Sequence, residues 1–238
     1  MEFIKKKYGK DAPMSNIETL SNRAKDRTLS KEKNIIVKNI SFGVNLYKNS
    51  ISKEDCQKYI DLLVTKLDGT EDDYSWLQFD EEDEEYGENN LIVRDDFRVN
   101  EEALGPKNES NKSLFEMDAK VLDAVKTCIF DYAESWEASI DYFEPLIFAR
   151  YTAPTGYFLP HFDDSLEVVR SVSAVLYLNS NYEGGELTFT RLDNLKIKPE
   201  PGDLVVFPST YLYKHASEIL TKGTKYCVIA MSDYAERV

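Results

Sequence analysis

A chain of 238 residues, 42% hydrophobic and 30% charged, has the balance of a globular protein long enough to bury a substantial core. Its longest apolar runs, such as Ala174–Leu178 and Cys227–Met231, are far too short to span a bilayer, which argues against a membrane partner. The net charge of −14, with no basic face beyond the first 40 residues, argues against nucleic acid.

Residues 1–33 are polar and lysine-rich and read as a flexible N-terminal arm. No apolar segment follows the opening Met1–Lys7, so no secretory signal is expected. Cys56, Cys128 and Cys227 are unclustered and odd in number; they read as core thiols of a reducing compartment, and a cytoplasmic location is expected. Residues 34–238 read as one domain.

In chain order, Asn34–Lys38 and Phe42–Tyr47 read as strands. Ser52 is positioned to cap a helix whose Cys56, Tyr59, Ile60, Leu63 and Leu67 share a face. Residues 71–88 hold ten acids, including Glu81–Glu85, and read as a solvated loop or as a lid that attracts a cation, with Trp76 and Phe79 as anchors. A second helix is expected over Ser113–Trp136, where Leu114, Met117, Val121, Val125, Cys128 and Ile129 keep helical spacing.

From residue 145 the character changes. Short β-rich runs alternate with turns: Leu146–Tyr151, Tyr157–Phe162, Val168–Leu178, Glu186–Arg191, Leu195–Ile197, Asp203–Phe207, His215–Ile219 and Lys225–Ser232. The expected fold class is α+β, a double-stranded β-helix (jelly roll) backed by N-terminal helices.

The only two histidines in the chain are His161 and His215. On a strand, residues two apart point the same way, so His161 and Asp163 aim together into the roll and Phe162 aims out. With His215 from a facing strand they form a two-histidine, one-carboxylate face, a set that suits Fe(II) and leaves open positions for co-substrate and O2. Past the turn Lys222-Gly223-Thr224, a hairpin return brings Lys225 back beside the strand of His215. An inward lysine is costly without a partner and sensible with a ligand carboxylate; an exposed lysine on a two-sided strand is the ordinary alternative.

An ordered set of strings then carries a resemblance: Arg150-Tyr151, Pro160–Asp163, Arg170, Leu176–Asn179, Glu183–Leu187, Pro201–Asp203 with Phe207, His215–Glu218 and Gly223–Tyr226. Residues 145–232 resemble the catalytic core of the 2-oxoglutarate- and Fe(II)-dependent dioxygenases, in particular the prolyl 4-hydroxylase-like branch. The resemblance implies that His161, Asp163 and His215 bind iron and that Lys225, Tyr151 and Tyr177 hold the distal carboxylate of 2-oxoglutarate. It implies that Leu187 packs on the co-substrate's methylenes, and that Arg170 meets a peptide substrate; Trp76, at the acidic stretch, is the second residue expected to touch substrate. Iron(II), 2-oxoglutarate and O2 are the implied cofactor and co-substrates, with ascorbate admitted as an accessory. The implied activity is hydroxylation of a substrate C–H, with a prolyl residue of a peptide or protein favoured. Alternatives are the same chemistry on a lysyl or arginyl side chain, a free amino acid or a small metabolite, and a non-catalytic jelly-roll binding module.

Overall fold

The computed structural model describes residues 26–32, 34–68, 74–81, 91–165 and 169–234. Strands β1 (Arg27–Ser30), β2 (Ile35–Ser41) and β3 (Val44–Lys48) pair antiparallel in succession. Helix α1 (Lys53–Leu67) starts where the Asp55 N–H donates to Ser52 Oγ at 3.0 Å, and it buries Cys56, Tyr59, Ile60, Leu63 and Leu67. Strands β4 (Leu77–Glu81) and β5 (Leu91–Phe97) pair next. The short α2 (Glu101–Leu104) leads to α3 (Lys112–Ser135), whose buried stripe includes Leu114, Met117, Val121, Val125, Cys128 and Ile129.

The remaining elements are strands. They are β6 (Ile140–Phe143), β7 (Ile147–Thr152), β8 (Phe158–His161), β9 (Val172–Tyr177), β10 (Glu183–Gly184), β11 (Leu187–Phe189), β12 (Leu195–Ile197), β13 (Leu204–Pro208), β14 (His215–Ser217), β15 (Leu220–Lys222) and β16 (Thr224–Tyr234).

Two sheets face one another. The larger runs β1-β2-β3-β13-β9-β16-β7-β5-β4, with β6 also on β16; the smaller runs β12-β11-β14-β8, and β10 pairs β15. This is the α+β jelly roll with preceding helices that the strand pattern predicts. One apolar cluster lies between the helices and the larger sheet and includes Leu63, Ile129, Phe148, Leu176 and Val228. A second fills the space between the sheets and includes Tyr151, Val175, Tyr177, Phe189 and Phe207. β9 is buried on both faces because Ala174 and Leu176 serve the first cluster and Val175 and Tyr177 the second. That is why Ala174–Tyr177 reads as an unbroken apolar run rather than an alternating one.

Several expectations change here. The arm does not extend to residue 33: Arg27–Ser30 joins the larger sheet, and Arg27 pairs with Asp131 of α3 at 2.6 Å. Residues 1–25 lie outside the described residues. The acidic stretch is not a continuous loop, because residues 77–81 form β4; residues 82–90 lie outside the described set. The expected strand His215–Ile219 ends at Ser217 as β14 in the smaller sheet, and a separate, unexpected strand, β15, follows against β10. The turn at Gly223 (φ 84°) therefore joins β15 to β16, and β16 pairs β7 and β9 rather than the strand of His215. All three cysteines are buried and free.

Candidate active site

β8 and β14 are neighbours with His161 opposite His215, which sets the two imidazole centroids 4.4 Å apart. Each ring is aimed by its own backbone. His161 Nδ1 lies 2.8 Å from the Leu159 carbonyl and His215 Nδ1 lies 3.0 Å from the Tyr213 carbonyl. A carbonyl only accepts, so Nδ1 donates in both rings and Nε2 is the nitrogen turned to the cavity. Asp163, just past the end of β8, turns its carboxylate to the same point. Its Oδ1 is 3.3 Å from His161 Nε2 and its Oδ2 is 3.7 Å from His215 Nε2. One ligand atom from each residue falls within 4.8 Å of the others.

The carboxylate is fixed from behind. Ser173 Oγ donates to Asp163 Oδ2 at 2.5 Å and lies 2.7 Å from Ser209 Oγ. Burial pushes the Asp163 carboxyl up, but the bond to His161, the charges of both histidines and the Ser173 hydroxyl outweigh it and hold it at about 2. Burial depresses the His215 imidazole, against the Asp163 charge that raises it. An ionised carboxylate, with burial disfavouring the charged form of His215, suits metal binding.

Deeper in the roll, Lys225 is 2% exposed. Its ammonium donates to the Gly185 carbonyl at 2.9 Å and to Ser217 Oγ at 2.8 Å, and it faces the rings of Tyr151 and Tyr177 at 4.8 and 5.3 Å. The Gly185 carbonyl is presented by a close approach only glycine allows. A Cβ on Gly184 (φ 76°) would sit 2.2 Å from the Ile219 carbonyl oxygen. Among the described residues no carboxylate pairs with Lys225, and burial lowers its pKa. The Tyr177 hydroxyl is buried with no hydrogen-bond partner. Tyr151 Oη accepts from Arg94 Nη1 at 3.4 Å.

These groups line one cavity of about 440 Å³, which also takes in Leu187 and Arg170. An uncompensated ammonium and an idle hydroxyl at its depth, with three convergent ligand atoms above, fit a dicarboxylate and a metal dication.

Two expected substrate residues are placed differently. Trp76 belongs to the core, not to the cavity wall: it is 8% exposed, its Nε1 donates to Asp68 Oδ1 at 2.9 Å, and Arg150 lies over its ring. Arg170 is at the cavity wall, but its guanidinium is held by Glu144 through Nε–Oε1 at 2.6 Å and Nη2–Oε2 at 2.8 Å. Its Nη1 donates to the Asp163 carbonyl at 3.2 Å, which ties it to the triad's backbone. Sequence reasoning missed Arg94, Asp96 and Arg98 of the β5 segment, which also line the cavity. Their period-two spacing, with Val93, Phe97 and Val99 buried on alternate positions, is the signal that marks them as one face of a strand.

Residues 146–231 match the 2OG-Fe(II) oxygenase superfamily model. This segment belongs to that superfamily. Over 66 residues, 26% of this chain, it is 39% identical to prolyl 3-hydroxylase 2 of Gallus gallus, but that stretch is 9% of the relative's length. Over 92 residues, 35% of this chain, it is 38% identical to a PKHD-type hydroxylase of Crocosphaera subtropica, spanning 40% of that protein. The match thus spans less than half the length of either curated relative. Among solved structures, the viral collagen prolyl hydroxylase of Paramecium Bursaria Chlorella virus-1, in its 2OG complex, aligns with a TM-score of 0.55 and 19% identity. The alignment covers 82% of this chain and 97% of that one, a likeness of fold. Within the superfamily segment lie the histidine–aspartate–histidine triad and Lys225, whereas Arg94, Asp96 and Arg98 lie outside it.

Proposed function

We propose that this protein is an Fe(II)- and 2-oxoglutarate-dependent dioxygenase that hydroxylates a prolyl residue of a peptide or protein. The observation that carries the reading is the convergence of His161, Asp163 and His215 on one point of a cavity that ends at the unpaired ammonium of Lys225. His161, Asp163 and His215 would hold the metal. Lys225, Tyr151 and Tyr177 would hold the distal carboxylate of 2-oxoglutarate, with Leu187 against its carbon chain. Once bound, the metal and co-substrate supply the oxidation, in which 2-oxoglutarate and O2 give succinate, CO2 and one oxygen atom for a substrate C–H.

The chain's own groups prepare that chemistry. Lys225 offsets a ligand charge in a site too buried for water to do so, and this fixes which end of the co-substrate enters first. Ser173 holds the Asp163 carboxylate in one rotamer, and the two backbone carbonyls hold both imidazoles in one tautomer. Val175, Ile147, Ile229 and Phe158 make the walls apolar and exclude water from the reacting centre.

The prolyl assignment is supported by the names of the relatives above and by the cavity's mouth. Phe162, between His161 and Asp163, is 45% exposed, and Leu77 of β4 is 65% exposed, and both line the cavity. An open apolar rim suits a chain that continues past the site better than an enclosed metabolite. The buried free thiols support a reducing, cytoplasmic setting. The test is to supply Fe(II), 2-oxoglutarate and proline-containing peptides and to follow succinate formation and peptide mass together. His161→Ala, Asp163→Ala and His215→Ala should each abolish both signals, and wild-type turnover by His215→Ala would overturn the assignment.

A further inference from the structure

The charges of the cavity pair off residue by residue, with one exception. Arg170 is matched by Glu144. Arg94 is matched by Asp96: Nη2 donates to Oδ2 at 2.7 Å, and Nε meets Oδ1 at 2.6 Å as an ionic contact without hydrogen-bond alignment. On the proposed function, a metal dication and Lys225 are balanced by Asp163 and the two carboxylates of 2-oxoglutarate. Arg98 remains. It is half-buried in the cavity wall; Asp96, already bound to Arg94, feels its charge, but among the described residues no carboxylate forms a salt bridge with it, so two guanidinium groups face one carboxylate.

Its position gives the excess charge a direction. Asp96 stands opposite Ala149 of β7, on the face of the sheet that looks into the roll, and Arg94 and Arg98 share that face. The intervening residues turn away, Asp95 to Arg150 and Phe97 into the helix-side core. β5 sits on the far side of β7 and β16 from β9, which carries Ser173 beside Asp163. Arg98 therefore lines the same cavity as the triad, from the β5 end of the larger sheet. A guanidinium so placed, in a protein whose net charge is −14, is a local device rather than part of a general basic surface.

We propose that Arg98 binds a carboxylate of the primary substrate, so that the substrate is anionic close to the hydroxylated C–H. The inference rests on the dioxygenase reading and deepens it by substrate class. The carboxylate is either an acidic side chain near the target residue or the free C-terminus of a short peptide or amino acid. The charges of the cavity thus favour the opposite sign from the one that the acidic stretch 71–88 suggests.

The experiment uses blocked peptides of one sequence around a single proline, carrying Glu, Gln or Lys at each flanking position. A further pair ends in a free carboxylate or an amide beside the proline. Two quantities are read: kcat/KM for hydroxylation with Fe(II) and 2-oxoglutarate, and the binding of labelled peptides to the same mixture without oxygen. The expected result is a preference of roughly tenfold or more for an anionic peptide over its neutral counterpart in both readouts, the size of a charged hydrogen bond. Whichever arm shows it, Glu side chain or free terminus, identifies the source of the carboxylate. Arg98→Ala and Arg98→Gln should erase the preference, and Arg98→Glu should turn it toward the Lys peptide. Equal use of Glu, Gln and Lys peptides by a wild-type enzyme that makes succinate would overturn the inference and leave the dioxygenase reading standing. Retention of the anionic preference in Arg98→Ala would do the same. No succinate from any peptide would overturn both.

Discussion

The Lys225 ammonium stands 4.8 Å from the centre of the Tyr151 ring, its direct neighbour across the pairing of β16 with β7. Two tyrosine ring faces, one carbonyl and one hydroxyl surround this charge at 2% exposure, and no carboxylate among the described residues forms a salt bridge with it. A buried cation without a carboxylate in direct contact keeps much of its desolvation cost until an anion arrives. The site is thus built to gain most from a ligand that brings a carboxylate to this depth.

Lys225→Ala should weaken 2-oxoglutarate binding by about 10–150-fold, the equivalent of roughly 1.5–3 kcal/mol for a charge-assisted hydrogen bond. Lys225→Arg should lose less, because charge is kept while the planar fork needs more room. Titration of succinate formation against 2-oxoglutarate reads both. An unchanged half-saturation in Lys225→Ala would show that the co-substrate binds elsewhere.

Tyr177→Phe should have effects of opposite sign on stability and binding. The Tyr177 hydroxyl is buried without a partner, so removing it should stabilise the ligand-free protein by about 1 kcal/mol. The same change removes a donor from the co-substrate and should weaken 2-oxoglutarate by roughly fivefold. Thermal unfolding with and without 2-oxoglutarate separates the two, and a lower Tm in the ligand-free variant would refute an idle hydroxyl.

Arg170 and Glu144 should act as a unit. Arg170→Ala and Glu144→Gln should each destabilise the fold, and the double variant should cost less than their sum, with a coupling of about 1–2 kcal/mol. Additive losses by denaturant unfolding would mean that the pair is not formed in solution.

Asp118 on α3 is partly buried, and burial alone pushes its carboxyl up to about 6. A raised folded-state value means that the fold prefers the protonated form. Stability is therefore lost as pH rises from about 4 through about 6 and is not regained above. Asp118→Asn should raise stability at pH 7 by about 1 kcal/mol, after allowing for solvent screening of a partly exposed group, and should do nothing below about pH 4. Stability curves of the two proteins that stay parallel across that range would contradict it.

The helices and the iron-side strands were legible because their signals are local. The stripe Cys56, Tyr59, Ile60, Leu63 and Leu67 needs only helical spacing, and His161 with Asp163 needs only strand alternation. What escaped depends on partners far along the chain. β15 (Leu220–Lys222) went unseen because nothing local ends β14 at Ser217 or tells the next three residues that they pair with β10. Trp76 looks like a lid aromatic until Asp68 and Arg150 are seen to hold it in the core. Arg170 looks free until Glu144, 26 residues away, is seen beside it. Arg94, Asp96 and Arg98 were passed over because charged residues on alternate strand positions ordinarily mark a solvated face, and here that face turns into a polar cavity.

The most direct measurement runs the reaction under labelled oxygen, with Fe(II), 2-oxoglutarate and a proline-containing peptide, and follows both products by mass spectrometry. The triad and Lys225 together call for one labelled oxygen atom in succinate and one in the hydroxylated peptide, both absent in His215→Ala. Wild-type protein that leaves 2-oxoglutarate and every peptide unlabelled and unconverted would contradict the dioxygenase reading outright.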